Sequence, residues 1–301
     1  VAATVGAQDY SKKPVPGDHV ALPPPAAVAA LSVMPPTVTL KGLDDSAQLV
    51  ITGQLKNGQA QDFSGDIQYA VANPALARVT SAGRVMPIAN GATEIVASYG
   101  DKTVKVALKT EAMDVNLPIN FTNHIVPIFT KLGCNGGGCH GKSGGQNGFA
   151  LSLLGFVPEL DFQTLVKENR GRRLFPAAPD SSLLLLKSTG TVAHAGGKRM
   201  DAGSDEYKLV RRWIASGTPF GDPKDPVVTK ITIDPPRSLM SRNNRQQFRV
   251  VAHYSDNTTL DVTQRAQYES NDTEIAVVDG AALVRSLEMS GEAAIMARYL
   301  G

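Results

Sequence analysis

Apolar and polar positions alternate along two separated stretches of the chain. Residues 49–64 (LVITGQLKNGQAQDFS) and 248–263 (FRVVAHYSDNTTLDVT) both alternate into a turn and emerge to an Asp-apolar-Ser/Thr end. A period of two predicts half-buried β-strands. The likeness continues downstream. Gln68-Tyr69 is repeated as Gln267-Tyr268, the stretch Asn73 to Val79 as Asn271 to Val277, and Ile95 to Tyr99 as Ile295 to Tyr299. The separation stays at about 199 positions, so two copies of one module flank an insert. Short strands punctuated by Gly, Asn and Pro predict an all-β unit of about 75–80 residues for each copy. Opening strands are expected at Thr37 to Leu40 and Thr229 to Ile233. The first copy runs on from Asp101 to Leu108, a further predicted strand, whereas the second reaches only Tyr299. A module without that strand exposes a sheet edge, and the chain is expected to be a fragment whose missing strand is lost or locally replaced.

Between the copies the period changes. Ile125, Ile128, Phe129 and Leu132 fall on one helical face. Asp161 to Glu168 and Ser181 to Lys187 read as short helices. A last helix runs from an N-capping Ser204 to Ser216, with Gly217 as its stop. Tyr207, Leu209, Val210, Trp213 and Ile214 give that helix an apolar stripe, and Trp213 is the chain's single tryptophan. The resulting division is an Ala/Pro-rich segment or linker at 1–35, β-modules at 36–111 and 223–301, and a helical domain at 112–222.

Composition narrows the classes. A chain of 301 residues can bury more than one core, and a net charge of +2 gives no nucleic-acid footprint. No apolar run approaches the roughly 18 residues of a membrane span. An Ala/Pro-rich start at Val1 suits a mature N-terminus after signal removal, and a trimmed recombinant chain accounts for the missing Met equally.

The candidate chemistry lies in Cys134-Asn-Gly-Gly-Gly-Cys139-His140, which holds both cysteines of the chain. Four readings compete. A Cys134–Cys139 disulfide does not need the adjacent histidine and must meet the bond's geometric limits. A zinc site wants four ligands where the cluster offers three. A glycine-rich loop with incidental cysteines needs no chemistry at all. The reading preferred here is a covalent haem c, with thioethers at Cys134 and Cys139 and His140 as the proximal ligand, although the usual signature separates its cysteines by two residues and not four. For the distal side the candidates are His194, favoured for its flanking Ala and glycines, and Met200. His19, His124 and His253 read as surface or packed residues. Arg172 and Arg173 are candidate contacts to haem propionates, since guanidinium groups fork onto carboxylates. No Ser-His-Asp set and no nucleotide loop is present.

Two resemblances add to this reading. The "…Y.D…DVT" hairpin of Tyr254 to Thr263 and the opening strands resemble bacterial immunoglobulin-like domains of group 2. The run CNGGGCHGKSGGQNGFALSLLGF, followed by DFQTLVKENRGRRLFP, SSLLLLKSTG, HAGGKRM and EYKLVRRWIASGTP, resembles the planctomycete-type cytochrome c domain across residues 118–221. These resemblances imply a multidomain fold of two all-β Ig-like sandwiches flanking an all-α cytochrome c-like domain. They also imply an exported, periplasmic or cell-surface protein with one covalent haem c, passing electrons to a redox partner or an adjacent domain. In that family Met200 falls where ordinary cytochromes carry their methionine, and His194 in a His-x-Gly-Gly element. The alternatives are a haem enzyme or gas sensor with an open distal site, or a structural surface module.

Overall fold

The computed structural model of the chain describes residues 21–300; residues 1–20 of the expected N-terminal segment, with His19, lie outside the described residues. Within them the chain is β-rich at both ends with a small helical region between, and its strands form several small sheets.

The first β-region contains β1 (Val28–Met34), β2 (Thr37–Lys41), β3 (Ala47–Gln48), β4 (Val50–Leu55), β5 (Ala60–Asp62), β6 (Gln68–Val71), β7 (Ala77–Val79), β8 (Arg84–Pro87), β9 (Gly91–Tyr99) and β10 (Lys102–Glu111). The strand β1 therefore opens inside the segment expected as a linker. Three sheets, ordered β1-β4-β5, β2-β10-β9-β6 and β3-β8-β7, surround one core that includes Leu40, Leu49, Ile51, Phe63, Ile95 and Val106. The second β-region contains β11 (Val228–Asp234), β12 (Arg245–Gln247), β13 (Arg249–Tyr254), β14 (Thr259–Asp261), β15 (Gln267–Ser270), β16 (Ala276–Val278), β17 (Leu283–Ser286) and β18 (Ile295–Arg298). Its sheets, β11-β13-β14, β12-β17-β16 and β15-β18, repeat the first set, and no strand among the described residues corresponds to β2 or β10.

The sequence repeat has a physical basis at the Asp-apolar-Ser/Thr end. Asp62 Oδ1 accepts from the Ser64 backbone N–H at 2.9 Å, and the Ser64 hydroxyl accepts from Ile51 N–H at 2.9 Å. In the second copy Asp261 accepts from Thr263 N–H at 3.0 Å, and Thr263 accepts from Val250 N–H at 2.8 Å. Tyr69 and Tyr268 each donate a hydroxyl to the carbonyl of that Ser or Thr, at 2.8 and 2.9 Å. The hairpin turn also repeats, with left-handed backbone at Gly58 (φ 86°) and at Asn257 (φ 64°), residue types that tolerate it. Core volume is conserved by exchange. A Cβ at Gly53 would lie 2.4 Å from the Phe63 ring, while the second copy pairs Ala252 with the smaller Val262.

The two β-regions are joined by the same residues that shape each of them. Asp62 accepts from the Gln247 backbone N–H at 2.7 Å, and Asp261 accepts from the Gln48 backbone N–H at 2.9 Å. Gln48 and Gln247 occupy equivalent places, and each side-chain amide donates to two carbonyls of its own region. The contact is thus reciprocal, as across a two-fold axis. Arg245 pairs with Asp66, and Arg265 donates to the Asp44 carbonyl at 2.7 Å across the same interface.

In the middle region, a π-helical turn Phe121–Ile125 runs into α1 (Val126–Lys131), followed by α2 (Pro158–Phe162), α3 (Leu183–Ser188) and α4 (Asp205–Ala215). The expected helix over Asp161 to Glu168 starts earlier, because Pro158 suits a first helical turn, and it loosens into a π-helical turn over Gln163–Lys167. Ser204 caps α4 by accepting from Tyr207 N–H at 3.2 Å, and Gly217 follows it at φ 87°. Phe121 lies against Phe129, Phe162, Trp213 and Phe220, and the Trp213 indole donates to the Pro219 carbonyl at 2.8 Å. No helix among the described residues is long and apolar enough to cross a membrane.

This helical region is bolted to both β-regions. Tyr299 donates to the Asn123 carbonyl at 2.8 Å, Lys131 to the Gln264 and Gly280 carbonyls, and Arg84 pairs with Asp205 at 2.8 Å. Arg212 pairs with Asp44. Replacing both Asp62 and Asp261 by Ala removes the reciprocal acceptors and leaves the backbone N–H groups of Gln48, Ser64, Gln247 and Thr263 without them, at a cost of about 4–8 kcal/mol. The expected outcome in calorimetry is a single unfolding transition for the native chain and a broadened or split one for the double variant.

Two buried groups near this interface titrate with opposite sign. Burial raises Asp45 from 3.8 to about 6, against the Lys41 and Ser46 N–H groups and Arg265. Its favourable contribution is full below about pH 4 and is lost as pH rises through 6. Burial, with Arg265 nearby, lowers His124 from 6.5 to about 4, so its contribution is present above pH 6.5 and is lost as pH falls to 4. The second copy carries Asn244 where the first carries Asp45, and both side chains accept from the next backbone N–H at 2.8 Å. Asp45→Asn is therefore expected to stabilise the protein at pH 8 by on the order of 2 kcal/mol. That advantage should shrink from pH 6 to pH 4 in urea titrations.

Candidate functional site

The cysteine loop leaves the end of α1 and folds back on itself. His140 N–H donates to the Cys134 carbonyl at 3.0 Å, Cys139 N–H to the Gly136 carbonyl at 2.9 Å, and Cys134 N–H to the Phe129 carbonyl at 2.8 Å. A Cβ at Gly141 would lie 1.9 Å from the Asn135 carbonyl oxygen, so only glycine fits this crossing. Around Gly137 and Gly138 there is open space, since a Cβ would meet only Leu153 at 3.8 Å at the former and nothing at the latter.

Both cysteines are free thiols. Cys134 packs against the helical core, and burial pushes its thiol up to about 12. Cys139 lies on the outer side, its sulfur 3.9 Å from the Arg199 guanidinium. Among the described residues no group of three or more His, Cys, Asp or Glu side chains is arranged to hold a metal ion.

Tertiary structure brings His140 and His194 together. Their rings lie 6.2 Å apart between centroids with planes only 7° from parallel. His140 Nδ1 meets the Phe149 carbonyl at 2.9 Å, and His194 Nδ1 meets the Gly197 carbonyl at 3.0 Å. A carbonyl only accepts, so both Nδ1 atoms carry the proton and each Nε2 keeps its lone pair. Burial lowers the His140 pKa, against the Phe149 carbonyl and with His194 adding to the shift, which favours the neutral ring. Gly196 lies under the His194 ring, where a Cβ would meet it at 2.8 Å. Met200 instead belongs to the buried helical core and does not share this arrangement.

The two arginines separate. Arg173 is buried and donates to the Thr164 and Gly148 carbonyls, both at 2.6 Å, with its guanidinium 4.6 Å from the Phe149 ring centre. Arg172 is exposed. Gly196 is one of the glycines for which His194 is favoured, and Arg199 reads from the sequence only as a surface charge, whereas nothing local marks the Phe149 carbonyl.

Comparison with known proteins gives a different picture from the expected one. No family profile matches the chain. Ice-binding protein 1 of Shewanella frigidimarina (strain NCIMB 400) is 24% identical over 279 residues, which is 90% of this chain and 27% of that protein. The chain thus spans about a quarter of the curated relative it matches. Domains 5–6 of the S-layer protein SbsC align over 90% of this chain and 91% of theirs, at 13% identity and a TM-score of 0.33. Domains 4 and 5 align over 28% of this chain and 53% of theirs, at 22% identity and 0.25. TM-scores this low carry no argument about function.

These findings correct the resemblance to a planctomycete-type cytochrome c domain flanked by bacterial immunoglobulin-like domains of group 2. No profile supports it, residues 118–221 included, and the match to the ice-binding protein runs through nearly the whole chain. The electron-transfer function, and the cytochrome and redox description that came with it, are withdrawn. The Cys134 thiol is partly buried, packed against the helical core. The helices α1 to α4 are short, from 5 to 11 residues, with long irregular segments between them.

Arg173 is the structural key to the loop, because it ties Gly148, next to Phe149, to the end of the second helical segment. Arg173→Met is expected to leave the Thr164 and Gly148 carbonyls unpaired and to cost about 2–3 kcal/mol in urea unfolding.

Proposed function

We propose that this chain is a structural module of a secreted or cell-surface protein, in which two Ig-like β-sandwiches are braced by a helical insert. The units are residues 36–111, 112–222 and 223–301, the first extended back to β1. The observation that carries this reading is the reciprocal Asp62–Gln247 and Asp261–Gln48 contact, which fixes two repeated β-regions as one body. The sequence likeness to an ice-binding protein, spread over 90% of this chain, supports the same class. Ice binding itself is not carried over. The outer face of β10 presents Lys105 and Lys109 in ion pairs with Glu94 and Glu111, a charged and hydrated surface. Fractionation of the native host, with protease shaving of intact cells, tests the proposal. Accessibility on intact cells or recovery from the medium is expected, and confinement to the cytoplasm would sink it.

A second reading concerns the cofactor alone and rests on the histidine pair. Metal–nitrogen bonds of about 2 Å on each side, plus roughly 1 Å from nitrogen to ring centre, give close to the 6.2 Å separation. In this proposal His140 and His194 would hold the iron of one haem c through their Nε2 atoms, and Cys134 and Cys139 would carry its thioethers. The group would place a coordinated iron between the α1 loop and the segment before α4. Arg172 remains a candidate propionate contact, and Arg173 is already engaged by two carbonyls. Intact-mass measurement with a pyridine haemochrome assay decides this point. One haem per chain is expected, with a changed spectrum in His194→Ala, and a chain mass without added haem rejects it.

A further inference from the structure

The two histidines that face each other are held very unequally. The backbone of His140 is fixed on both sides, its N–H donating to the Cys134 carbonyl at 3.0 Å and its carbonyl accepting from Leu151 N–H at 2.9 Å. Its ring is fixed as well. Nδ1 donates to the Phe149 carbonyl at 2.9 Å, and the Phe149 ring lies 4.5 Å away between centroids. Phe149 is itself clamped: it exchanges two backbone hydrogen bonds with Gln146, at 2.9 and 3.0 Å, and its ring lies under the Arg173 guanidinium. Moving His140 therefore disturbs Cys134, Leu151 and Phe149 together.

His194 lacks such support. Its segment is tied down at Val192, whose N–H donates to the Leu186 carbonyl at 3.0 Å. It is tied down again at Arg199 and Met200, which both donate to the Ser188 carbonyl, at 2.7 and 3.0 Å. Between those anchors, and among the described residues, His194 hydrogen-bonds only to Gly197. Its Nδ1 meets the Gly197 carbonyl at 3.0 Å, and its own carbonyl accepts from Gly197 N–H at 2.8 Å. Both bonds lie inside the loop and travel with it, so they do not resist its displacement. Ala193, Ala195, Gly197 and Lys198 are exposed, and Lys198 pairs with Asp201 at the surface. From outside the loop the Lys187 ammonium comes only within 3.5 Å of the Ala193 carbonyl, too long for a good hydrogen bond. Segments with few buried contacts and exposed backbone are the ones that open first.

We infer that the histidine pair is a ligand-exchange site. His140 is its permanent donor, and His194 is a displaceable donor that yields its place to a small neutral ligand of the size of carbon monoxide. Residues 193–198 swing out as a unit between their anchors at Val192 and Arg199. The bond from His194 Nε2 to the iron breaks, its electron pair returns to the imidazole, and the lone pair of the incoming ligand takes the vacated position. No electron or proton is transferred. The limit on size follows from the anchors, because a loop this short, pinned at both ends, vacates little more than the space of its own ring. This exchange rests on the histidine-pair reading of the cofactor, and it adds to that reading which of the two donors moves and what class of molecule replaces it.

The test uses the whole chain with its haem, the loading first measured by the haemochrome assay, reduced with dithionite and mixed rapidly with carbon monoxide. A change of absorption spectrum is expected, at a rate that levels off as carbon monoxide is raised, because His194 must leave before the position opens. In His194→Ala the rate should instead rise in proportion to carbon monoxide. Binding should also tighten at least ~10-fold in that variant, since no fraction of its sites is closed. The rate profile of the native chain carries the test on its own where the variant loads poorly. A loaded chain whose spectrum carbon monoxide leaves unchanged overturns the proposal and leaves the cofactor reading standing. A native rate proportional to carbon monoxide at every concentration also overturns it, because the position would already be open. A chain without haem removes the cofactor reading and the exchange with it.

Discussion

The architecture depends on a pair of buried carboxylates, Asp62 and Asp261, each serving two purposes. Inside its own region, each accepts from the backbone two residues on and sets the corner that β5 or β14 turns into the core. Across the interface, each accepts a backbone N–H from the other copy's short strand, β3 or β12. A buried N–H left without a partner is costly, so the contact fixes the relative placement of the regions more than apolar packing alone could. Burial pushes the Asp62 carboxyl up from its ordinary range, while the Ser64 and Gln247 donors hold it down.

The helical insert takes its place from that pair. Lys131, at the end of α1, reaches two carbonyls of the second β-region, and Arg212 on α4 reaches Asp44 of the first. Burial lowers the Lys131 ammonium to about 8, the electrostatic consequence of seating a cation between packed loops. The loop that begins just after Lys131 carries Cys134, Cys139 and His140, so His140 is held on a braced frame. A frame of this kind suits a load-bearing or spacing role. It also suits a site with one donor fixed in place.

Much of this organisation was legible in the sequence. The repeat, the change to helical periodicity after residue 112, the Ser204 cap and the Gly217 stop are local patterns, and each corresponds to a local structure. His194 was preferred to Met200 as a distal ligand for its flanking glycines and the His-x-Gly-Gly resemblance, and that role stays a proposal; in the fold the His194 ring lies 6.2 Å from that of His140 and Met200 lies in the helical core. The family resemblance was the weaker guide. It joined short motifs into a cytochrome c-like whole that the comparisons do not support. Arg173 was read as a ligand contact, yet its two terminal nitrogens donate to the Thr164 and Gly148 carbonyls, which no local pattern announces.

By itself the sequence determined the strand and helix patterns, the two-copy arrangement and the candidate loop, because these depend on periods of two or of three and four and on nearby turn residues. Only the tertiary structure decided that the Asp-apolar-Ser/Thr ends meet the opposite copy's glutamine backbone. That contact joins residues nearly two hundred positions apart, and nothing in either stretch alone distinguishes an inward corner from an interface. The separation of His140 and His194 and the packing of Cys134 against the helical core were likewise settled in three dimensions. Each depends on what packs against a side chain, and that is fixed only when distant segments come together.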